Sequence, residues 1–337
     1  MPEIVPNLVS TVIPVYNRTQ MLREAVASVL EQTYRPIEII AVDDGSTDDT
    51  PRVGEELAAT HPEVVFLRKA NSGAGPTREL GRLAARGEFI QYLDSDDLLR
   101  PQKFEKQVAA LRANPECGAA YGWICLHPET GLPQTEPYKA SGESRPTLFP
   151  WLLADRWWNT DAPLFRRSVC DAVGPWTDLR WSQDWEYDGR VGALGTKLAY
   201  VPEFVTDQRQ HAGVRQTSAA DWMQPDRLRS RMRFLTLMLG HAERAGVTAD
   251  SPHRQHFTRW VFATARNCAA VGLAPEYREL MELAERSAGD CQAVRRGFLS
   301  FRTLCKLLGV RWAGRTLLAA QKLRSPGKHT LSQSFAK

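Results

Sequence analysis

Four apolar runs in the first third of the chain end in the same manner, and that shared ending restricts the fold more than any other feature. LVSTVIPVY (8–16) stops at Asn17, PIEIIAVDDGSTD (36–48) at Asp-Asp-Gly-Ser, VVFLRKANSGAG (64–75) in a Gly-rich loop, and GEFIQYLDSDD (87–97) at a cluster of carboxylates. Short apolar runs rich in β-branched residues and closed by turn residues read as buried strands. The stretches between them, RTQMLREAVASVLEQT, TPRVGEELAATHP and PTRELGRLAARG, read as helices; Leu22, Val26, Val29 and Leu30 share one helical face, and Gly87 reads as the C-cap of the third. Strand and helix in alternation imply right-handed crossovers and an α/β fold with a mainly parallel sheet flanked by helices. Ligands bind such sheets beyond the carboxyl ends of the strands. Pro14–Asn17, Asp43–Ser46, Asn71–Gly75 and Asp94–Asp97 would all converge there.

The remainder is organised differently. From about 115 to 215 the pattern loosens into a Trp-rich, turn-rich region with short strands at AAYGWIC and KLAYVPEFV. From about 220 to 288 amphipathic helical pieces return, broken at AGVTADSP and VGLAPEY, and SPGKHTLSQSFAK at the end reads as disordered. The net charge of +4 hides an asymmetry: residues 290–337 hold ten Lys or Arg against one acidic residue, a surplus of nine that leaves residues 1–289 at −5. Such a distribution excludes general nucleic-acid binding by the globular part. Six widely spaced cysteines without a Cys-x-x-Cys pair suit reduced, buried thiols. The early acidic residue at the N-terminus does not read as a signal peptide, and no apolar run approaches the roughly 18–20 residues that span a bilayer. A cytoplasmic location is the expectation.

The carboxylates of DSDD carry the chemistry. Ser95 or Asp96 could cap a helix in DLLRPQKFEKQVAAL, where acidic residues favour the N-terminus. Capping accounts for one or two carboxylates and leaves the third unexplained. Crowded carboxylates raise one another's pKa unless a cation is present, and Mg²⁺ takes one or two carboxylates together with substrate phosphates. A metal and phosphate site is the reading adopted.

Five strings then stand in one order: PVYNR, VDDGSTD, NSGAGPTRELG, GEFIQYLDSDD and WSQDWEYDGR. Together they resemble the family 2 glycosyltransferases of GT-A fold, over residues 8–211. The resemblance implies a GT-A (nucleotide-diphospho-sugar transferase) domain over 1–215, with a donor half to about 115 and an acceptor half from about 116; the pattern of the residues beyond it adds a helical extension over 216–290 and a basic amphipathic tail over 291–337. It implies that Pro14, Val15 and Tyr16 line the nucleotide pocket beside Asn17, and that Asp43 accepts a hydrogen bond from the base. Asn71, Gly73, Arg78 and Ser95 complete the donor site. Asp96 aligns with the metal-binding carboxylate and Asp94 with the other half of D-x-D, Mn²⁺ or Mg²⁺ being the cation; Asp97 organises the neighbouring loop. The resemblance points to Asp184 in SQDWEYD as the general base, with Gln183 in place of the usual acidic neighbour; Glu186 and Asp188 stay open as alternatives. Trp181 and Trp185 are acceptor candidates from a cluster that also holds Trp157, Trp158 and Trp176, since aromatic faces stack on sugars but more often fill cores. His211, grouped with them as an acceptor candidate, follows a strand, where the family often has a His in a loop closing over the diphosphate.

The activity so implied is inverting, metal-dependent transfer of a sugar from a nucleotide-diphosphate donor, UDP-sugar first, to a hydroxyl of a lipid-linked glycan, a polysaccharide or a protein. The competing class is a glycan- or nucleotide-sugar-binding protein of the same fold without turnover, for which Gln183 leaves room. A nucleotidyltransferase would open with G-x-G-T-R and a dinucleotide dehydrogenase with G-x-G-x-x-G; neither string follows the first strand. In the tail, Val294, Phe298, Phe301, Cys305, Leu308 and Trp312 recur at helical spacing among Arg and Lys. That stripe either lies on an anionic membrane face or packs on the protein, and Gly309 and Gly314 weaken a single continuous helix.

Overall fold

A computed structural model describes residues 3–211 and 222–324, leaving aside the side chains of residues 293, 294 and 321–324. The Val294 side chain, the boundary at 215 and the expected disorder beyond 324 lie outside the described residues. Two compact units emerge: Met1–Leu148 with Trp157–Gly213, and Phe149–Arg156 with Val214–Lys337.

The first unit is built on one eight-stranded sheet among the described residues. Its strands are β1 (Val5–Val15), β2 (Ile37–Asp43), β3 (Val64–Arg68), β4 (Gly87–Tyr92), β5 (Leu98–Leu99), β6 (Cys117–His127), β7 (Leu164–Arg166) and β8 (Lys197–Arg209). They are ordered β3-β2-β1-β4-β7-β6-β8-β5. β1, β2, β3 and β4 pair in parallel, β7 runs antiparallel to β4 and β6, and β8 returns parallel to β6. The helices are α1 (Thr19–Leu30), α2 (Thr50–Thr60), α3 (Ala74–Ala84), α4 (Lys103–Ala113), α5 (Arg167–Val173) and α6 (Gln183–Ala193). Every residue of β2 is buried, as helices on both faces of a parallel sheet require. Register then aligns the strand ends: Val15 pairs with Asp43, Asp43 with Arg68, and Val12 with Tyr92.

Three expectations are corrected. Gly87 does not cap α3, which ends at Ala84; it opens β4, where its N–H donates to Ser10 Oγ and an added Cβ would stand 2.5 Å from that oxygen. No helix begins at the carboxylate cluster. Asp97 N–H donates to the Asp94 carbonyl at 3.0 Å, closing a turn with Ser95 and Asp96 at its corners, and α4 starts only at Lys103. Capping is therefore not what DSDD does. The strands expected at AAYGWIC and KLAYVPEFV are the middle of β6 and the first nine residues of β8, which are 11 and 13 residues long.

In the second unit α7 (Pro225–Arg244), α8 (Pro252–Val271), α9 (Ala274–Ala288), α10 (Gln292–Leu308) and α11 (Val310–Arg324) follow one another. Gly309, at φ 78°, separates α10 from α11, whereas Gly314 sits inside α11 against the Ala270 backbone, where a Cβ would come within 2.5 Å. Phe298 and Phe301 pack against Phe262, and Phe301 also meets Tyr277. The expected stripe thus packs on the protein at Phe298 and Phe301, while Leu299, Leu307 and Trp312 remain exposed at 63%, 76% and 63% beside Arg296, Lys306 and Arg315. Among the described residues no helix is long and apolar enough to cross a membrane.

Candidate active site

Each loop at the carboxyl edge is held by its neighbour. Pro14 and Val15 are buried at the end of β1, and Tyr16 stands exposed beyond them. Asn17, in the left-handed region at φ 50°, accepts Thr47 N–H on Oδ1 at 2.8 Å and donates its own N–H to Ser46 Oγ. Asp43 is fully buried, and its carboxylate already receives Ser46 N–H and the Arg68 guanidinium at 3.1 Å. Asp44 does the same for the third loop, taking N–H groups from Ser72 and Gly73 at 2.9 and 2.8 Å and the Lys69 ammonium at 2.6 Å. Asn71 is exposed on that loop. Gly73 (φ 94°) turns the chain into α3 with a backbone that only glycine takes readily.

Arg78, one turn into α3, is buried at 3% exposure and is not a solvated surface arginine. Its Nη2 donates to Asp94 Oδ1 at 2.5 Å and its guanidinium lies 4.9 Å over the Trp176 ring, while its buried Nε and Nη1 have no hydrogen-bond partner. Buried donors without acceptors are costly unless a ligand meets them.

The turn itself divides its carboxylates between two environments. Ser95 is buried at its corner. Asp96 Oδ2 receives Arg18 Nη1 at 2.7 Å and lies 3.0 Å from His211 Nε2. Burial pushes the Asp96 carboxyl up, but the Arg18 charge and the hydrogen bonds from His211 and Arg18 outweigh it and hold it below the ordinary carboxylate range. Asp97 turns inward, accepts Arg209 N–H at 2.8 Å, and has its pKa raised far above that range by burial and by Asp161. Asp161 is fully buried, takes the Asp94 N–H at 2.7 Å and Asn159 Nδ2 at 2.8 Å, and is pushed up to about 7 by burial and then by the Asp94 charge. Asp94, Asp97 and Asp161 bring carboxylate oxygens within 4.8 Å of one another, a grouping a cation can occupy that contains Asp94 and not Asp96. Asp96 on the turn and His211, two residues beyond the end of β8, place an oxygen and an imidazole nitrogen side by side next to that grouping. An oxygen-rich turn with one imidazole fits Mn²⁺ or Mg²⁺, and the Arg18 guanidinium on Asp96 shows that the spot attracts positive charge.

Of the three acidic residues open as base, Glu186 is buried in an ion pair with Arg190 at 3.0 Å, and Asp188 is buried under Trp158 Nε1 at 2.9 Å. Asp184 is half-buried in the first turn of α6, with Oδ1 accepting Trp185 N–H at 2.8 Å. Gln183, the departure from the family pattern, is buried against Gly75, where a Cβ would strike the Thr177 carbonyl oxygen at 2.1 Å. Trp157, Trp158 and Trp176 are buried, whereas Trp181 and Trp185 are half-buried, Trp181 beneath Arg180. Trp176 stacks on Tyr187 of α6 at 4.0 Å and 6°, and Tyr187 OH lies 3.3 Å from Tyr92 OH at the end of β4.

Sequence reasoning missed Asp161, Arg209 and Arg18, and named Trp176 only as one of a tryptophan cluster without its place over Arg78. Arg18 stood inside PVYNR and was visible as a cation beside a strand end, whereas nothing in WWNTDAPLF marks Asp161, whose partner on the D-x-D turn, Asp94, lies 67 residues away.

Comparison with known proteins agrees with this geometry. The family described as "Glycosyl transferase family 2" matches residues 10–159. Chondroitin synthase of Escherichia coli is 39% identical over 114 residues, which is 34% of this chain and 17% of that one, so the chain spans about a sixth of that relative. An uncharacterised protein of Mycobacterium tuberculosis is 30% identical over 253 residues, 70% of each chain. Among solved structures, S. aureus TarS 1–349 superposes with a TM-score of 0.66 at 15% identity, covering 95% of this chain and 93% of that one. The same protein has been solved with UDP-GlcNAc (TM-score 0.59, 15% identity, 86% and 92% covered). The mannosyltransferase PcManGT of Pyrobaculum calidifontis, solved with GDP-Man and Mn²⁺, gives 0.52 at 15% identity, covering 94% and 86%. With its curled, mostly parallel sheet of GT-A type, its strand-end loops and this sequence match, the chain belongs to glycosyltransferase family 2.

Proposed function

We propose that the protein is an inverting glycosyltransferase that moves a sugar from a nucleoside-diphosphate donor, UDP-linked by preference, to a hydroxyl of a glycan, a lipid-linked glycan or a protein, with Mn²⁺ or Mg²⁺. The observation that carries this reading is Arg78: a buried guanidinium with two unpartnered N–H groups, bonded to Asp94 at the carboxyl edge of the sheet. Such donors suit the oxygens of a diphosphate.

In this reading Pro14, Val15, Tyr16 and Asn17 border the nucleotide, and the base competes with Arg68 for Asp43. Asn71, Gly73 and Ser95 shape the donor loop. Asp96, His211 and Asp94 hold the cation, which when bound neutralises charge on the leaving diphosphate. Asp184 takes the proton from the acceptor hydroxyl as its oxygen bonds to the anomeric carbon. The bond from that carbon to the diphosphate breaks on the opposite face, its electron pair passing to the β-phosphate oxygen, so the configuration inverts. Arg78 receives the charge that develops there, and Trp181 and Trp185 offer faces to the acceptor sugar. The nucleotide sugars bound to TarS and PcManGT support the donor class.

The division into a donor half to about 115, an acceptor half to about 215, a helical extension to 290 and a basic tail belongs to the same proposal. So does a cytoplasmic enzyme peripheral to an anionic membrane face, which Leu299, Leu307 and Trp312 among basic residues support.

The test is calorimetric titration of UDP, GDP and TDP into wild type and Asp96→Ala, with and without Mn²⁺. One nucleotide should bind in a metal-dependent manner and the mutant should lose that dependence. Absence of nucleotide binding under every metal condition overturns the reading.

A further inference from the structure

Apart from the D-x-D turn, the ends of β6 and β8 carry a second cluster of different chemistry. Cys125 and His127 are two residues apart on β6, so their side chains leave the same face of the strand. Cys125 pairs in register with Asp207 on β8. Cys125 Sγ, a ring nitrogen of His127 and a carboxylate oxygen of Asp207 all lie within 4.8 Å of one another. His127 Nε2 is 2.9 Å from Asp207 Oδ1, and Arg100 Nη2 donates to that oxygen at 2.6 Å. Cys125 is buried, its thiol donating to the Gln134 carbonyl at 3.3 Å.

We propose that Cys125, His127 and Asp207 form a zinc site that fastens the end of β6 to the end of β8. Thiolate, imidazole and carboxylate together are the donor set that selects zinc, whereas the oxygen-rich D-x-D turn suits hard cations. Tetrahedral zinc, with bonds of about 2.0–2.3 Å, holds its donors roughly 3.3–3.7 Å apart, so separations of up to 4.8 Å close by at most about 1.5 Å, and the 2.9 Å approach of His127 to Asp207 Oδ1 opens slightly. Asp207 has a second carboxylate oxygen for the ion while Arg100 keeps its bond to Oδ1, the kind of outer contact that orients a metal-bound carboxylate. His127 is partly exposed, which leaves a fourth position for water, and the Cys125 proton passes to solvent on binding. From Asp207 the chain runs on through Arg209, which bonds the Asp96 carbonyl and the Asp97 carboxylate, to His211 against Asp96. An ion on Asp207 therefore steadies the segment that braces the D-x-D turn without touching the turn's own carboxylates.

The experiment is titration of metal-free full-length protein with Co²⁺ and then Zn²⁺, followed by absorption. One equivalent of Co²⁺ should give a thiolate-to-cobalt charge-transfer band with tetrahedral d–d absorption, and one equivalent of Zn²⁺ should bleach both. Cys125→Ser should abolish the charge-transfer band, His127→Gln should weaken it, and Asp96→Ala should leave it intact. No thiolate band in the wild-type protein overturns the site whatever the variants do. A band that survives Cys125→Ser, or one that Asp96→Ala removes, overturns it as well.

Discussion

Asp184, Glu186 and Asp188 sit within five residues on the same helix, yet their surroundings give them different work. Glu186 neutralises Arg190 and Asp188 holds the Trp158 indole, so each keeps a charge or a ring in place inside the protein. Asp184 is the most open of the three. Asp184→Asn should lower kcat by about 10²–10⁴-fold, the usual worth of a general base, while the nucleotide Kd stays where it was. Glu186→Gln should instead lower the melting temperature, because it leaves the half-buried Arg190 beside a neutral partner. Steady-state kinetics with calorimetry for the first, and thermal unfolding for the second, separate the roles; equal kcat losses in both would contradict the assignment. In the sequence only the family resemblance favours Asp184, since the types and spacing of the three suit the task equally; their different burial was not legible there.

At the scale of elements, β1 to β4 were readable because each is an apolar run that ends in turn residues, and β2 and the last eight residues of β1 are continuously buried. β6 and β8 were read short. The parts missed are the ends, 117–118 and 126–127 of β6 and the polar run TDQR (206–209) of β8, while Gly122 inside β6 is there because a side chain would stand 2.7 Å from Val205 on the neighbouring strand. The start of α3 shows the same kind of constraint. Gly75 has the Thr177 carbonyl where its Cβ would be, so Gly75→Ala must shift backbone rather than a flexible side chain. A loss of about 1–3 kcal/mol in unfolding free energy is expected, as for other overpacked sites. Denaturant titration measures it, and an unchanged midpoint would mean the approach is looser than described. What could not be read was the pairing of distant loops: Asp161, Arg209 and Trp176 meet the D-x-D turn or Arg78 only through the sheet order.

At the scale of the whole molecule, the tail reading needed two faces where the sequence showed one stripe. Phe298 and Phe301 face α8 and α9, so deleting the tail would strip the second unit of core and confuse any lipid assay. The exposed leucines give a cleaner test. The full-length protein should sediment with anionic vesicles at low salt and not with neutral ones, the attraction fading as salt screens it. Leu299→Glu combined with Leu307→Glu should release it. Indifference of the wild type to anionic vesicles at low salt would end the membrane proposal.

The long reach of the contacts around Asp94–Asp97 has a consequence for synthesis on the ribosome. Asp94 waits for a partner 67 residues downstream, Asp97 for one 112 away and Asp96 for one 115 away. A nascent chain that has emerged through β4 can pair its parallel strands, but its turn holds three neighbouring carboxylates with Arg18 and Arg78 as the countercharges already made. Translation through His211 completes the set, so the edge of the sheet that must recognise a ligand is the last part of this unit to acquire its charge balance.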